Sequence, residues 1–422
     1  MKVVFHTLGC KVNQYDTQQI MQDLMNRGYE VVQEGEYFDI CVINTCAVTN
    51  ESSRKSRQLV RKFKSINPSG IVVVTGCYSE TNQEEVKSIT QADIITGTKN
   101  RTIIAEMIEK FIGNRQRISD FSQLDDIDVF PIDCIDKTRA TIKIEDGCNM
   151  FCTYCIIPYA RGRIQSHNPD IVIEDIKKLV DKGYQEIILT GIHIASYNYL
   201  DVRLIDLLEL INSKTEIKRV RLGSLEPQLI TEDFLSRLSN VDNFCPHFHL
   251  SMQSGCDKIL DLMNRRYTTK LYFDNCVKIR EYFDDAMITT DVIVGFPSET
   301  EEDFNVTLEF CETINFSHIH VFPYSPKVGT PAAKMKNQIS NAEKHSRALR
   351  LIEKSTKMEQ GIFKEQLGKS VNVLFEQRKD NVYHGYTENY LPVKLQSTTD
   401  VTNKVMNVKI VNYDETSLIA VD

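Results

Sequence analysis

Strand-like segments of four to eight residues, rich in valine, isoleucine and leucine, recur from Val3 to Phe322, and nearly every one is followed by a stretch with helical spacing. A chain that alternates in this way lays its strands parallel, because each helical crossover returns it to the same end of the sheet. In the first hundred positions strands are expected at Val3–Thr7, Asp39–Asn44, Ile71–Thr75 and Asp93–Thr96, with helices at Asp16–Arg27 and Glu51–Ile66. The expected fold class is α/β, beginning with a doubly wound parallel sheet over 1–112. A polar stretch around Gly113–Asp133 reads as an interdomain connection. Beyond it strands are expected at Ala140–Glu145, Glu186–Thr190, Arg219–Leu222, His247–Ser251, Ile288–Val294 and His318–Phe322. Helices lie between them, as at Pro169–Lys182, Leu204–Asn212 and Glu299–Ile314, and Asn341–Gln366 reads as one long charged helix. Six units over 134–365 suit a partial (β/α)6 barrel better than an eight-unit one. After Gly368 only short strands remain (Ser370–Glu376, Val382–Tyr386, Leu391–Leu395, Lys404–Tyr413, Ser417–Val421), so 366–422 is expected to close into a small β-barrel.

At 422 residues the chain exceeds one ordinary core. Apolar residues make up 41% and charged residues 26%, the balance of a soluble globular protein. No run of about 18 apolar residues is present to span a membrane, and the N-terminus lacks the apolar core of a secretory signal. A cytoplasmic protein without membrane association is expected. The net charge of −8 argues against broad electrostatic binding of nucleic acid and leaves that role to local basic patches. Twelve cysteines are therefore anomalous, since a reducing compartment disfavours disulfides. Either they are small buried hydrophobes or a subset binds metal.

Spacing separates the two. Cys148, Cys152 and Cys155 stand in Gly147-Cys148-Asn149-Met150-Phe151-Cys152-Thr153-Tyr154-Cys155. Three thiolates at these gaps wrap one face of an iron–sulfur cubane and leave its fourth iron open, whereas complete four-cysteine ligation suits electron transfer. A zinc site is the rival, but zinc wants a second pair or a histidine close by, and none follows. Cys10, Cys46 and Cys77 form a second trio, each just after one of the first three major strands. In a parallel sheet these positions share the carboxyl edge, where such folds bind ligands. Cys41, Cys134, Cys245, Cys256, Cys276 and Cys311 share no such placement and are expected to be packing residues.

The 148–155 loop resembles that of the radical S-adenosylmethionine superfamily, whose members use a partial (β/α) barrel. The string Thr7-Leu8-Gly9-Cys10-Lys11-Val12-Asn13-Gln14 resembles the opening of its methylthiotransferases. That likeness extends through Asn44-Thr45-Cys46-Ala47-Val48-Thr49, Pro158-Tyr159-Ala160-Arg161-Gly162-Arg163 and His249-Leu250-Ser251-Met252-Gln253-Ser254-Gly255, and so over essentially the whole chain. The resemblance implies two 4Fe–4S clusters, the first on Cys10, Cys46 and Cys77 and the second, which binds S-adenosylmethionine, on the catalytic Cys148, Cys152 and Cys155. It implies a radical SAM barrel and a terminal barrel like the family's TRAM domain. It also implies cofactor contacts at Gly191, where the family's backbone approaches the methionine amino group, and at Ser224, Gln253 and Asp291 on later strand ends. Each of these last three could instead be a cap or turn residue.

Among the family's branches, Leu8-Gly9-Cys10-Lys11-Val12-Asn13-Gln14 and Thr190-Gly191-Ile192-His193-Ile194 resemble the one that adds a 2-methylthio group to C2 of N6-threonylcarbamoyladenosine at position 37 of tRNA. Methylthiolation of isopentenyladenosine or of a ribosomal-protein aspartate, and a non-catalytic iron–sulfur or zinc RNA-binding protein, are the alternatives. The implied partners are tRNA and an electron donor such as flavodoxin or ferredoxin, with the protein itself a monomer.

For RNA contact the helix Glu51–Ile66 offers Arg54, Arg57, Arg61 and Lys64 within an arc of about 80°, opposite Leu59, Phe63 and Ile66. A solvated face is the alternative. The long helix adds Lys344, Arg347, Arg350, Lys354 and Lys357, and Arg161, Arg163, Arg265 and Arg266 are expected near the barrel mouth, where RNA, cofactor or carboxylates are their candidate partners. From Glu365 onward six Lys/Arg face eight Asp/Glu, so RNA contact there would rest on Arg378, Lys379, Tyr383, Tyr386 and Tyr390; the alternative is a structural cap.

Overall fold

The computed structural model describes residues 1–122 and 138–421, so Cys134 and the latter part of the expected connection lie outside the described residues. The chain forms two compact units. One contains 1–122, 143–167 and 325–333; the other contains 138–142, 168–324 and 334–421.

The first unit is built on a six-stranded parallel sheet. Its order in space is Glu30–Val32, Lys2–Thr7, Ile40–Thr45, Ile71–Gly76, Ile94–Thr96 and Ile118–Asp120. Both faces are apolar because strand residues alternate between them. Val4, Cys41, Ile43, Val72, Val74 and Ile95 pack on one side with Val60 and Phe63 of the helix Asn50–Ile66. Val3, Ile40, Val42, Ile71, Val73 and Ile94 pack on the other with Ile20 and Leu24 of Lys11–Asn26 and Ile104, Ile108 and Phe111. The chain reverses direction across the sheet between Lys2–Thr7 and Ile40–Thr45, which opens a crevice at their carboxyl ends.

Two edge strands, Glu30–Val32 and Ile118–Asp120, were not expected from sequence. Each is only three residues long, too short for a period to show; pairing with a preformed neighbour makes it a strand. The first helix begins at Lys11, directly after Cys10, five residues earlier than its apolar spacing suggested.

In the second unit Arg139–Lys143, Glu186–Thr190 and Arg219–Leu222 form one parallel triplet, and His247–His249, Met287–Val294 and His318–Pro323 form another. Bridges at Val220–Phe244 and Leu225–Leu250 join the triplets into the expected six-stranded partial barrel. The five terminal strands, Ser370–Lys379, Val382–Thr387, Pro392–Gln396, Val405–Tyr413 and Leu418–Val421, close into a barrel over Phe363, Val373, Phe375, Tyr383, Val393 and Ile410.

The terminal barrel docks on the amino ends of the parallel strands through charge and aromatic rings. Glu186 opens its strand fully buried and accepts from Arg221 Nε and Nη2 at 3.0 and 3.2 Å. Arg221 also donates to the carbonyls of Glu388 and Thr387, and Arg219 to those of Asn372 and Tyr386. The Arg139 guanidinium lies over the rings of Tyr386 and Tyr390, which stack at 4.6 Å, and His247 stacks on Tyr390 at 4.8 Å. The aromatics proposed for RNA stacking thus serve the docking: Tyr386 and Tyr390 grip guanidinium groups, and Tyr383 is fully buried. Among the described residues no helix is long and apolar enough to cross a membrane.

Truncating Tyr390→Ala removes a ring shared by Arg139, Arg221 and His247. It is expected to destabilise this unit by about 2–4 kcal/mol in urea unfolding, whereas Arg378→Ala, on an exposed strand end, changes stability by less than about 0.5 kcal/mol.

Candidate functional site

The crevice of the first sheet gathers the first cysteine trio. Cys10 is the N-cap of Lys11–Asn26, Cys46 follows Ile40–Thr45 directly, and Cys77 opens the short helix after Ile71–Gly76. Gly76 has φ +97°, and a Cβ there would lie 2.3 Å from Asn44 Oδ1 and 2.5 Å from the Thr45 carbonyl oxygen, so only glycine lets the chain turn into Cys77. Asn13 ties the three loops together. Its amide donates to the carbonyls of Leu8 and Thr45 at 2.7 and 3.0 Å, and its oxygen faces Cys77 Sγ at 3.8 Å.

The three sulfurs share one electrostatic neighbourhood. Burial pushes the Cys77 thiol up to about 12; charge on Cys10 and Cys46 pushes the same way, and Arg161 pulls against it. Burial also raises Cys46, opposed by the Val48 N–H, Ser52 and Lys327 and reinforced by Cys10. Like charges this close resist ionisation without a cation between them, and a metal centre supplies one. The donor set therefore fits a thiolate-bound cluster. Lys327, 7% exposed, donates to Ser53 Oγ at 3.1 Å, and burial brings its ammonium down to about 8.

The second trio lies on a loop closed by the short antiparallel pair Glu145–Asp146 and Gln165–Ser166. Gly147 has φ +82°, and a Cβ there would sit 2.1 Å from the Arg163 carbonyl oxygen. The Cys148 N–H donates to the Gly162 carbonyl at 3.0 Å, Cys155 N–H to Cys152 at 3.0 Å, and Met150 N–H to Cys148 Sγ at 3.4 Å. Cys148 and Cys152 are buried and Cys155 is half-buried. Backbone N–H donation to sulfur and the wrapped loop are what a three-thiolate cluster site needs.

Between the trios lies a buried ion network. Arg161 Nη1 donates to both Asp146 oxygens at 3.0 and 2.9 Å, and Nη2 to Asp16 Oδ2 at 2.8 Å and Asn13 Oδ1 at 2.6 Å. Lys143 Nζ reaches Asp16 Oδ1 at 2.6 Å and Asp146 Oδ2 at 3.1 Å, and Arg101 Nε lies 3.7 Å from Asp16. Burial alone would push both carboxyls up, but the three cations hold them below the usual carboxylate range. Sequence placed Arg161 among candidates at the barrel mouth; the structure buries it against carboxylates, one of the options left open. Asp16, Lys143, Asp146 and Arg101 were not foreseen, because their partners lie up to 145 positions away.

In the second unit Gly191 follows Glu186–Thr190, Ser224 is exposed just after Arg219–Leu222, and Asp291 sits within Met287–Val294. Gln253, at φ +68°, is locked to that strand: its N–H donates to the Asp291 carbonyl at 2.8 Å and its carbonyl accepts from Ile293 at 2.9 Å. The parallel strands bring these residues to their carboxyl half.

The basic helix Asn50–Ile66 packs in a different phase from the one expected. Ser53, Ser56, Val60 and Phe63 are buried, and Ile66 is 58% exposed. Small serines allow close approach to the sheet, and the Thr49–Ser52 capping box fixes where the first turn begins. Three cations of the stripe are paired within the protein: Arg54 with Glu51, Arg57 with Glu85 at 2.8 Å and Lys64 with Asp93 at 2.7 Å. Arg61 is exposed and makes no polar contact among the described residues. On Asn341–Glu365, Arg347, Arg350, Lys354 and Lys357 pair with Glu299, Glu301, Glu312 and Glu353.

His167, beside the network, is 3% exposed, and burial with Lys143 and Arg101 brings its imidazole down to about 3. Its unfolded value is about 6.5, so between those values the unfolded chain binds more protons and acid destabilises the fold. Between pH 7 and 5 the loss attributable to His167 is expected to reach about 2 kcal/mol, and His167→Phe should remove it in urea titrations at the two pH values.

A family model described as "Uncharacterized protein family UPF0004" matches residues 2–97, and one described as "Radical SAM superfamily" matches 142–311. The Bacillus subtilis (strain 168) protein named threonylcarbamoyladenosine tRNA methylthiotransferase MtaB is 38% identical over 437 residues, covering 99% of this chain and 96% of that protein. The protein of the same name from Aquifex aeolicus (strain VF5) is 35% identical, covering 97% and 100%. A Clostridium perfringens (strain SM101 / Type A) protein named tRNA-2-methylthio-N(6)-dimethylallyladenosine synthase is 34% identical, covering 98% and 96%. Among solved structures, the radical S-adenosylmethionine methyltransferase TsrM from Kitasatospora setae superposes with a TM-score of 0.58 at 14% identity, covering 78% of this chain and 76% of that one, a likeness of fold. With similarity of this extent to named relatives, the chain belongs to the radical S-adenosylmethionine methylthiotransferase family, whose members use S-adenosylmethionine and carry two 4Fe–4S clusters.

Proposed function

We propose that this enzyme adds a 2-methylthio group to C2 of N6-threonylcarbamoyladenosine in tRNA, beside the anticodon, in the cytoplasm. The observation that carries the reading is the pair of cysteine trios, one converging at a sheet crevice and one wrapped in a loop, with a buried ion network between them. The branch is supported by the name shared by relatives at 38%, 35%, 35% and 33% identity.

The C2–H of adenine is neither acidic nor attached to a leaving group, so acid–base catalysis has little purchase on it. Bound clusters and S-adenosylmethionine would supply the electron, the carbon radical and the methyl group that such a position requires. The chain's own residues hold these groups and set their surroundings. Cys10, Cys46 and Cys77 would ligate the first cluster and Cys148, Cys152 and Cys155 the second. Gly191 removes side-chain bulk where the methionine amino group would approach, and Ser224, Gln253 and Asp291 would meet the rest of the cofactor. Asn13 and Arg161 hold the loops of the first trio in register with Asp146, which neighbours the second. His167 stays neutral near pH 7 and adds no charge to the ion network.

The division 1–112, 134–365 and 366–422 assigns the first cluster, the radical chemistry and the structural cap to successive parts of the chain. A flavodoxin or ferredoxin would deliver the electron to a monomeric enzyme. For tRNA, Arg61 is the cation of the stripe that meets phosphate without first leaving a carboxylate; Arg54, Arg57 and Lys64 must exchange Glu51, Glu85 and Asp93 for it. Arg61→Ala is accordingly expected to weaken tRNA binding about threefold to tenfold and to reduce its salt dependence by about one ion, and an unchanged affinity removes this helix from the RNA surface.

Replacing Cys148, Cys152 and Cys155 with Ala should abolish 5′-deoxyadenosine formation. Replacing Cys10, Cys46 and Cys77 should abolish methylthiolation while leaving some cofactor cleavage. Nucleosides from cells lacking the enzyme, read by mass spectrometry, should lack 2-methylthio-N6-threonylcarbamoyladenosine. Loss of the isopentenyl derivative instead would overturn the branch.

A further inference from the structure

Around Asp291, which is also a candidate cofactor contact, the second triplet of parallel strands carries histidine and threonine side chains that the proposed reaction does not use. Register places His249 beside Thr289, Thr289 beside His318 and Asp291 beside His320. Paired residues of a sheet point to the same face. Ile288, Thr290, Val292 and Val294 are buried on the opposite side of Met287–Val294, so His249, Asp291 and His320 share the face turned away from the helices.

His249 Nε2 lies 3.3 Å from Asp291 Oδ2, and its Nδ1 lies 2.9 Å from Thr289 Oγ1. The His320 ring is centred 5.7 Å from that of His249, and one ligand atom from each of His249, Asp291 and His320 lies within 4.8 Å of the other two. Among the described residues no lysine or arginine pairs with Asp291, whose side chain is 28% exposed. One carboxylate between two imidazoles, without a basic partner, leaves a negative charge in a ring of nitrogen and oxygen donors. With Nδ1–H donating to the Thr289 hydroxyl, Nε2 is the nitrogen free to take a metal, the role that outer-shell hydrogen bonds play for metal-bound imidazoles. A hydrogen-bonded His–Asp pair alone would not call for His320, which stands on the next strand in register with Asp291.

We propose that His249, Asp291 and His320 bind one divalent transition-metal cation, with no ligand in common with either cysteine trio. Two histidines and one carboxylate select borderline ions of the Mn2+, Fe2+ and Zn2+ class and leave coordination positions open. Those positions face away from the helices, where oxygen donors of a bound ligand could complete the shell.

Mn2+ is the probe of choice, because imidazole and carboxylate accept it while thiolate sites favour softer ions. Anaerobically reconstituted full-length enzyme, freed of loose metal, is titrated with Mn2+ while free ion is read by electron paramagnetic resonance. Wild type is expected to bind about one Mn2+ per chain, and His320→Ala or Asp291→Asn to weaken it by more than about tenfold, with iron content and far-ultraviolet circular dichroism unchanged. His320 is exposed, so its variant should fold even where Asp291→Asn does not. Absence of Mn2+ binding by wild type, or equal binding by wild type and a folded His320→Ala, overturns the site. The titration needs no tRNA, so its failure would leave the methylthiolation reading standing, and the converse also holds.

Discussion

Three cations and two carboxylates, Arg101, Lys143 and Arg161 with Asp16 and Asp146, meet where almost no water reaches: their side chains are 0–9% exposed. Burying charges is costly, and a network of this kind contributes little net stability compared with an apolar core of the same volume. Its value is positional. Arg161 reaches Asp146 and Asp16 together, so the helix that Cys10 caps is keyed to the residue two before Cys148. Loss of one member would strand its partners, at a cost of about 3–5 kcal/mol, so the geometry is kept or lost as a whole. One cation is left in excess, and Cys10 and Cys77 are the thiols that feel Arg161. A positive remainder there offsets the charge that thiolate ligands bring.

The second unit uses the same chemistry to a different end. Glu186, Arg139, Arg219 and Arg221 close the amino ends of the parallel strands, and the terminal barrel supplies carbonyls and tyrosine rings to complete their hydrogen bonds and cover their faces. A cap that leaves the carboxyl half of those strands alone agrees with the acidic balance of this segment. Its aromatic residues are consumed by docking, and an acidic surface of net −2 from Glu365 onward is a poor platform for phosphate.

Much of this was legible in the sequence, for a physical reason. Strand and helix periods survive in the residues themselves, so Glu186–Thr190 falls on its apolar run and Arg219–Leu222 on its alternation of arginine with valine and leucine. The convergence of Cys10, Cys46 and Cys77 was legible because topology alone sends the ends of parallel strands to one edge. Side-chain partnership was not. The stripe Arg54, Arg57, Arg61, Lys64 is one residue out of phase with the buried Ser53, Ser56, Val60 and Phe63, and no hydrophobicity pattern assigns the buried side to two serines. Tyr386 and Tyr390 carry the same signature whether they stack on a base or beneath a guanidinium. His249 and His320 stand in different motifs 71 positions apart, and only strand register brings them together.

Distance along the chain separates the two kinds of result, and the segment 325–333 is its extreme case. Ser325 Oγ accepts from the Asn50 N–H at 3.1 Å and the Pro326 carbonyl from the Asn50 amide at 3.0 Å, while Lys327 donates to Ser53, all just after Cys46. A few residues on, the Ala332 N–H donates to the Thr153 carbonyl, between Cys152 and Cys155. One short strap thus touches the loops of both trios from more than 170 positions away. Contacts of such separation form only after the chain has paid its loop-closure entropy. Neither cysteine loop is therefore a self-contained motif: both acquire their final shape only when the strap and the ion network are in place, which makes the two candidate metal sites a single cooperative construction.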